Sequence, residues 1–174
     1  MPAMTLRQSL VVFNAEAVFQ RVYRHFIINE AKPALFRDSR GTYNYCIRNA
    51  SGTRSPFGLL IQKPDLLSST MLYGLVEPNK DETSTFSTSV SRALAVTTVI
   101  NHCELMNLTK KVFGVSEISD EVLETIQDIE STYRDCLYDC TFNDNRQEYE
   151  LFHAKLKQEL LTLAKEREFA LPNE

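Results

Sequence analysis

Cys136 and Cys140 stand four residues apart, so on a helix both thiols leave the same face. Two thiolates placed that way are half of a zinc site, and His102 beside Cys103 holds the residue types to complete it. Structural zinc sites take their ligands from tight loops, however, and buried thiols pack like small apolar side chains. No metal ligand set is therefore expected. Cysteine nucleophile chemistry needs a thiol, an imidazole and an orienting polar group. Cys46, His25, His102 and His153 supply those types without a pattern that joins them. Asp135 with Asp139, and Asp120 with Glu124, are carboxylates one helical turn apart. That spacing is ordinary on exposed faces and does not by itself tune a general acid or base. The chain has no Gly-rich phosphate loop, no G-x-S-x-G and no H-E-x-x-H. No cofactor is expected, and binding is expected ahead of catalysis.

Two groups of residues remain as candidate binding sites. Arg48 and Arg54, near Tyr43 and Tyr45, carry the guanidinium and aromatic chemistry that holds an anionic small molecule or nucleotide. Glu121, Glu124, Asp128, Asp135 and Asp139 belong to a markedly acidic stretch. The net charge is −4 over 174 residues, but residues 1–116 carry +5, residues 117–150 carry −9, and the remainder is neutral. A segment so charged can steer or dock a basic protein surface. Carboxylates on a solvated helix face would give the same count. The basic part is too sparse for a nucleic-acid footprint.

The elements that must position these residues are mostly helical. Hydrophobic content is 43%, charged content 24%, and there are only five Gly and six Pro, the balance of a globular chain with few loops. The length suits one domain over 1–174 with a core of its own. Asn14 is placed to cap a helix over 15–29, with Val18, Phe19, Val22, Tyr23, Phe26 and Ile27 as its buried stripe. Alternation at 43–48, a turn at 49–52 and an apolar run at 57–61 predict a small β-hairpin near 43–61. Pro56 and Gly58 weaken its second strand. Residues 62–89 are Ser/Thr-rich and read as a loop with one helical turn after Pro64; a helix resumes near Thr88 and runs toward Met106.

Ser119 is placed to cap a helix carrying Val122, Ile126, Ile129, Tyr133 and Leu137. Asn145 and Glu148 resemble a capping box opening a last helix with Tyr149, Phe152, Leu156, Leu160 and Leu163. These two form an antiparallel pair. The expected class is α+β, predominantly helical. The Leu10–Phe13 run is shorter than a secretory core, and no stretch has the roughly 20 apolar residues of a membrane span. The four cysteines are thus expected to be reduced, in the cytoplasm.

Three segments together resemble a group of small uncharacterised proteins from phages and bacteria. Phe19–Phe26 is similar to the group's opening helix. Tyr45-Cys46-Ile47-Arg48, Gly52 and Ser55–Ile61 follow its Cys-x-Tyr-Arg, Gly and Cys-Ala-x-Gly order. Leu123–Glu130 is similar to its Leu-Gln-x-x-His-Asp helix. Ser55 or Pro56 stands where the group has its second cysteine, and Glu130 where it has its histidine. A thiol pair or Cys/His site would not be assembled the same way here. The resemblance implies a phage or prophage source and an opening helix, a small β element and a closing helical pair.

The leading expectation is a non-enzymatic protein-binding protein, an inhibitor of a host defence or nucleic-acid-binding protein, acting through its acidic surface on a basic one. It is expected to bind neither nucleic acid nor membrane directly. The alternatives are a small-molecule or nucleotide binder, or an enzyme, with its site near the hairpin, and a homo-oligomeric structural protein.

Overall fold

The Asn14 side chain accepts the Ala17 N–H at 2.8 Å and starts the first helix, as its position before an apolar-periodic run predicts. The computed structural model describes residues 13–37, 39–68, 71–72, 86–143 and 147–173, of which 86–95 by backbone alone. Helix α1 spans Ala15–Tyr23 and widens into a π-helical turn over Arg24–Ile28. Val18, Phe19, Val22, Tyr23 and Phe26 are all buried, so the expected stripe continues through the change of pitch.

The chain then forms an antiparallel hairpin of β1, Leu35–Arg37, and β2, Tyr43–Tyr45, in the register Leu35↔Tyr45, Phe36↔Asn44 and Arg37↔Tyr43. The hairpin lies partly upstream of its predicted place, because β2 pairs with residues before it. The turn after Arg48 is present: the Asn49 side chain accepts the N–H groups of Ser51 and Thr53, and Arg48 bridges Arg54. Phe57–Leu60, however, is a 3-10 helix and not a strand. Pro56 has no N–H to give a ladder, and the Phe57 N–H goes to Glu130. Gly58 lies so close to the Ile47 carbonyl that any side chain there would collide with backbone. A second 3-10 turn, Pro64–Leu66, matches the helical turn expected after Pro64.

Helix α2 runs Phe86–Leu105, so its first residues fall inside the stretch read as loop. Residues 69–70 and 73–85 of that stretch lie outside the described residues. The short α3, Thr109–Phe113, ends at Gly114 with φ 81, a left-handed position that glycine takes without strain. Helix α4, Asp120–Tyr138, is capped by Ser119, whose side chain accepts the Val122 N–H at 3.3 Å.

Helix α5, Tyr149–Arg167, follows. Of the expected capping box, Asn145 lies outside the described residues. Glu148 is itself the N-cap residue, and its carboxylate accepts the Thr141 N–H at 2.9 Å. Asp139 meets Lys155 at one end of the pair and Asp128 meets Arg167 at the other, which makes α4 and α5 antiparallel. After the left-handed Glu168, the tail folds onto α1: Phe169 packs on Phe19 with ring centroids 5.3 Å apart, and the Ala170 N–H donates to Glu16.

One hydrophobic cluster connects α1, the hairpin, the 57–61 turn and α2–α5. Its centre is aromatic, with Tyr133 edge-on to Phe152 at 5.6 Å and Phe26 at 5.3 Å from Tyr133. In a chain without Trp, Phe and Tyr supply this bulk. Among the described residues, no helix is long and apolar enough to cross a membrane.

Candidate functional site

The 3.6-residue period of α4 decides which of its charges meet water. Val122, Ile126, Ile129, Tyr133 and Leu137 are buried, as their spacing predicts. Glu121, Glu124, Asp128, Asp135 and Asp139 fall on the other side at intervals of three, four, seven and four residues. They form one stripe about 27 Å long at 1.5 Å per residue. The five candidate carboxylates therefore share one face.

The stripe is partly neutralised. Arg167, near the end of α5, pairs with Asp128, approaches Glu124 at 3.7 Å, and donates to the Thr125 hydroxyl at 3.1 Å. Lys155 lies 3.8 Å from Asp139. A shallow groove of about 230 Å³ runs between α4 and α5 at this end, lined by Asp135, Asp139, Glu159 and Lys155 among others. Glu124 and Asp139 keep most of their side-chain surface in water, 72% and 64%. These two carboxylates thus keep most of their hydration in the fold.

The other side of α4 holds a polar group that charge counting misses. Glu130 is 1% exposed and Arg134, one turn on, is also 1% exposed. Ser55 donates its hydroxyl to Glu130 Oε2 at 2.8 Å, and the Phe57 N–H donates to the same oxygen at 3.2 Å. Ser55 Oγ in turn accepts the Gly58 N–H at 3.1 Å. The Arg134 guanidinium covers the Tyr45 ring at 4.2 Å and donates to the Tyr138 hydroxyl at 3.1 Å. Among the described residues its Nε and Nη1 have no hydrogen-bond partner. Burial pushes the Glu130 carboxyl up to about 7, against the hydrogen-bonding influence of Ser55, Tyr45 and Phe57 and the positive charge of Arg134. The Tyr133 hydroxyl accepts the Ala34 N–H at 2.9 Å, which ties the start of the hairpin to the same helix.

Helical phase is the signal that reveals these residues: Glu130 and Arg134 follow Ile126 at four-residue steps, on the apolar side. Ser55 and Glu130 are 75 residues apart in sequence. In the fold they are hydrogen-bonded to each other. With Ser55 at 0% exposure, the pair meets no solvent and its geometry is that of a clamp between the 55–58 turn and α4.

The hairpin residues read as an anionic-ligand site make contacts within the fold. Tyr45 is buried under Arg134, and Tyr43 lies against Arg37 at 6.0 Å. Arg48 and Arg54 pair across the turn, and Arg54 is close enough to His25 to help lower its pKa, after burial. Cys46 and Cys136 are buried thiols, each pushed up to about 12 chiefly by burial. Both are thus suppressed as nucleophiles at neutral pH. His153 is anchored by the Ala31 carbonyl at 2.7 Å. Among the described residues, no three His, Cys, Asp or Glu are grouped to hold a metal ion. Comparisons with family models, with curated proteins and with solved structures find no match to this chain.

Proposed function

We propose that this protein is a non-enzymatic binding protein whose α4 stripe docks on a basic surface of another protein. The alignment of Glu121, Glu124, Asp128, Asp135 and Asp139 on one solvent-facing side of a helix carries this reading. The opposite side of that helix is held in the core, so the carboxylates are presented on a rigid element. Complementary fields of this kind raise association rates and suppress wrong partners. A row of carboxylates suits a surface that otherwise contacts nucleic-acid phosphates, and such a host defence or transcription protein is the partner class we favour. A phage or prophage source rests on the resemblance of the three sequence segments. The free cysteines support action in the reducing cytoplasm.

The test is capture of host proteins on the immobilised full chain at about 0.05 M and 0.5 M salt, between which screening shortens from well above 10 Å to under 5 Å. A partner retained at low salt, released at high salt, and lost when Glu121, Glu124 and Asp135 are changed to Lys would support the reading. Capture that ignores both salt and those reversals would remove it.

A further inference from the structure

A cleft of about 560 Å³ lies between the 62–63 segment and the α2–α3 connection, on a part of the molecule that the acidic stripe does not use. That volume falls in the range of small-molecule sites. Lys63, Lys110 and Lys111 line it together with the neutral hydrogen-bonding side chains of Gln62, Asn107 and Thr109. No lining residue carries a carboxylate, and the nearest acids in sequence, Asp65, Glu104 and Glu117, stand outside it. None of the three lysines is in an ion pair among the described residues. In a chain of net charge −4, three unpaired ammonium groups around one concavity are a local excess that a ligand of opposite charge would relieve.

Thr109 supplies a second, independent observation. It is only 7% exposed, it lines the cleft, and its hydroxyl has no hydrogen-bond partner among the described residues. The hydroxyl oxygen itself stays open to solvent, so it is free to donate to a ligand in the cleft. The walls are also fixed. The Gln62 N–H donates to the Val112 carbonyl at 2.7 Å, and the Gln62 side chain packs on Gly114 where a Cβ would lie 2.6 Å from its Nε2. Asn107 holds a left-handed backbone, φ 56, which turns the chain at the rim.

We propose that this cleft binds a phosphate group, with Lys63, Lys110 and Lys111 supplying charge and Thr109, Asn107 and Gln62 supplying directed hydrogen bonds. Tetrahedral anions take several donors at once, and lysine is a phosphate binder as a point charge. The phosphate has two sources of the same chemistry. One is a free phosphorylated small molecule. The other is a lipid headgroup, because Leu105 and Met106 stand beside Asn107 with 86% and 60% of their surface in water.

Titration of the full chain with pyrophosphate against chloride at matched ionic strength, followed by amide NMR, tests the proposal. Saturable shifts confined to residues 62–63 and 107–116 are expected, weakened about tenfold by Lys63→Ala or Lys110→Ala, since each removes a charge-assisted hydrogen bond. Thr109→Val, which keeps the volume and removes the hydroxyl, weakens them by a smaller factor, and Lys157→Ala on α5 leaves them unchanged. In a second arm, vesicles of phosphatidic acid in phosphatidylcholine are compared with phosphatidylcholine alone. Co-sedimentation lost in Lys63→Ala, Lys110→Ala and Leu105→Ser assigns the phosphate to a lipid headgroup. Binding in neither arm, or binding indifferent to the lysines, overturns the site.

Discussion

Ser55 donates its hydroxyl to Glu130 at 2.8 Å, closing a contact across 75 residues between the segment that leads into the 57–60 turn and the middle of α4. The same hydroxyl accepts from Gly58, so one side chain links the carboxylate to the turn that presents it. The arrangement has consequences for stability that solution measurements reach directly.

The pH dependence of folding should carry the signature of Glu130. Its pKa rises from 4.5 to about 7 on folding, so the folded chain keeps a proton that the unfolded chain has lost. The resulting stabilisation is complete below about 4.5 and is lost as pH rises through about 7, on the order of 3 kcal/mol in full. Glu130→Gln keeps an acceptor for Ser55 and cannot ionise. Between pH 5.5 and 8.5 about 2 kcal/mol of this is lost, so the Tm of the parent chain should fall relative to that variant by roughly 4–8 °C. His25, whose pKa is lowered chiefly by burial, acts in the opposite sense at acid pH and is common to both proteins. Parallel Tm–pH curves would refute the assignment.

Ser55→Ala should destabilise by about 1–3 kcal/mol, because Glu130 loses a donor and the Gly58 N–H loses its acceptor in a buried place. The Ser55 hydrogen bond holds the Glu130 pKa down, so the pH transition should also move upward. A variant with parental stability and an unmoved transition contradicts this.

The thiols should react in a fixed order. Cys140 is half-buried, whereas Cys46 and Cys136 are buried with pKa values of about 12. At pH 8 such a thiol is ionised to about one part in ten thousand. Alkylation with iodoacetamide, read by peptide mass spectrometry, should modify Cys140 well before either. Equal rates at Cys136 and Cys140 would show that α4 opens at its end.

Arg167→Ala should loosen the closing pair. It removes the ion pair to Asp128 and the hydrogen bond to Thr125, so a loss of about 1 kcal/mol is expected, with Tm down by about 2–4 °C. Hydrogen exchange should rise at the last turn of α5 and in the 168–170 tail. An unchanged exchange pattern would count against this contact as the fastening of the two helices.

Gly58→Ala should cost more than any of these, by about 3 kcal/mol or more, since the added carbon meets the Ile47 carbonyl and backbone has little room to yield. A thermal melt within 2 °C of the parent, roughly the shift of 1 kcal/mol, would rule out the clash.

The amphipathic helices were readable from residue order because their information is local. Asn14 and Ser119 satisfy backbone donors within three residues, and the stripes of α1, α4 and α5 repeat at the helical pitch. The same period placed the acidic candidates on one face. The hairpin was legible in kind but not in partner, since pairing 35–37 rather than 57–61 with β2 depends on what else competes for the backbone of Phe57. Glu130 supplies that competitor, from 73 residues away. Burial of Glu130 and Arg134, and the grouping of Lys63 with Lys110 and Lys111, likewise arise between segments distant in sequence. Periodicity reports which side of a helix faces inward; only the packed chain decides what waits there.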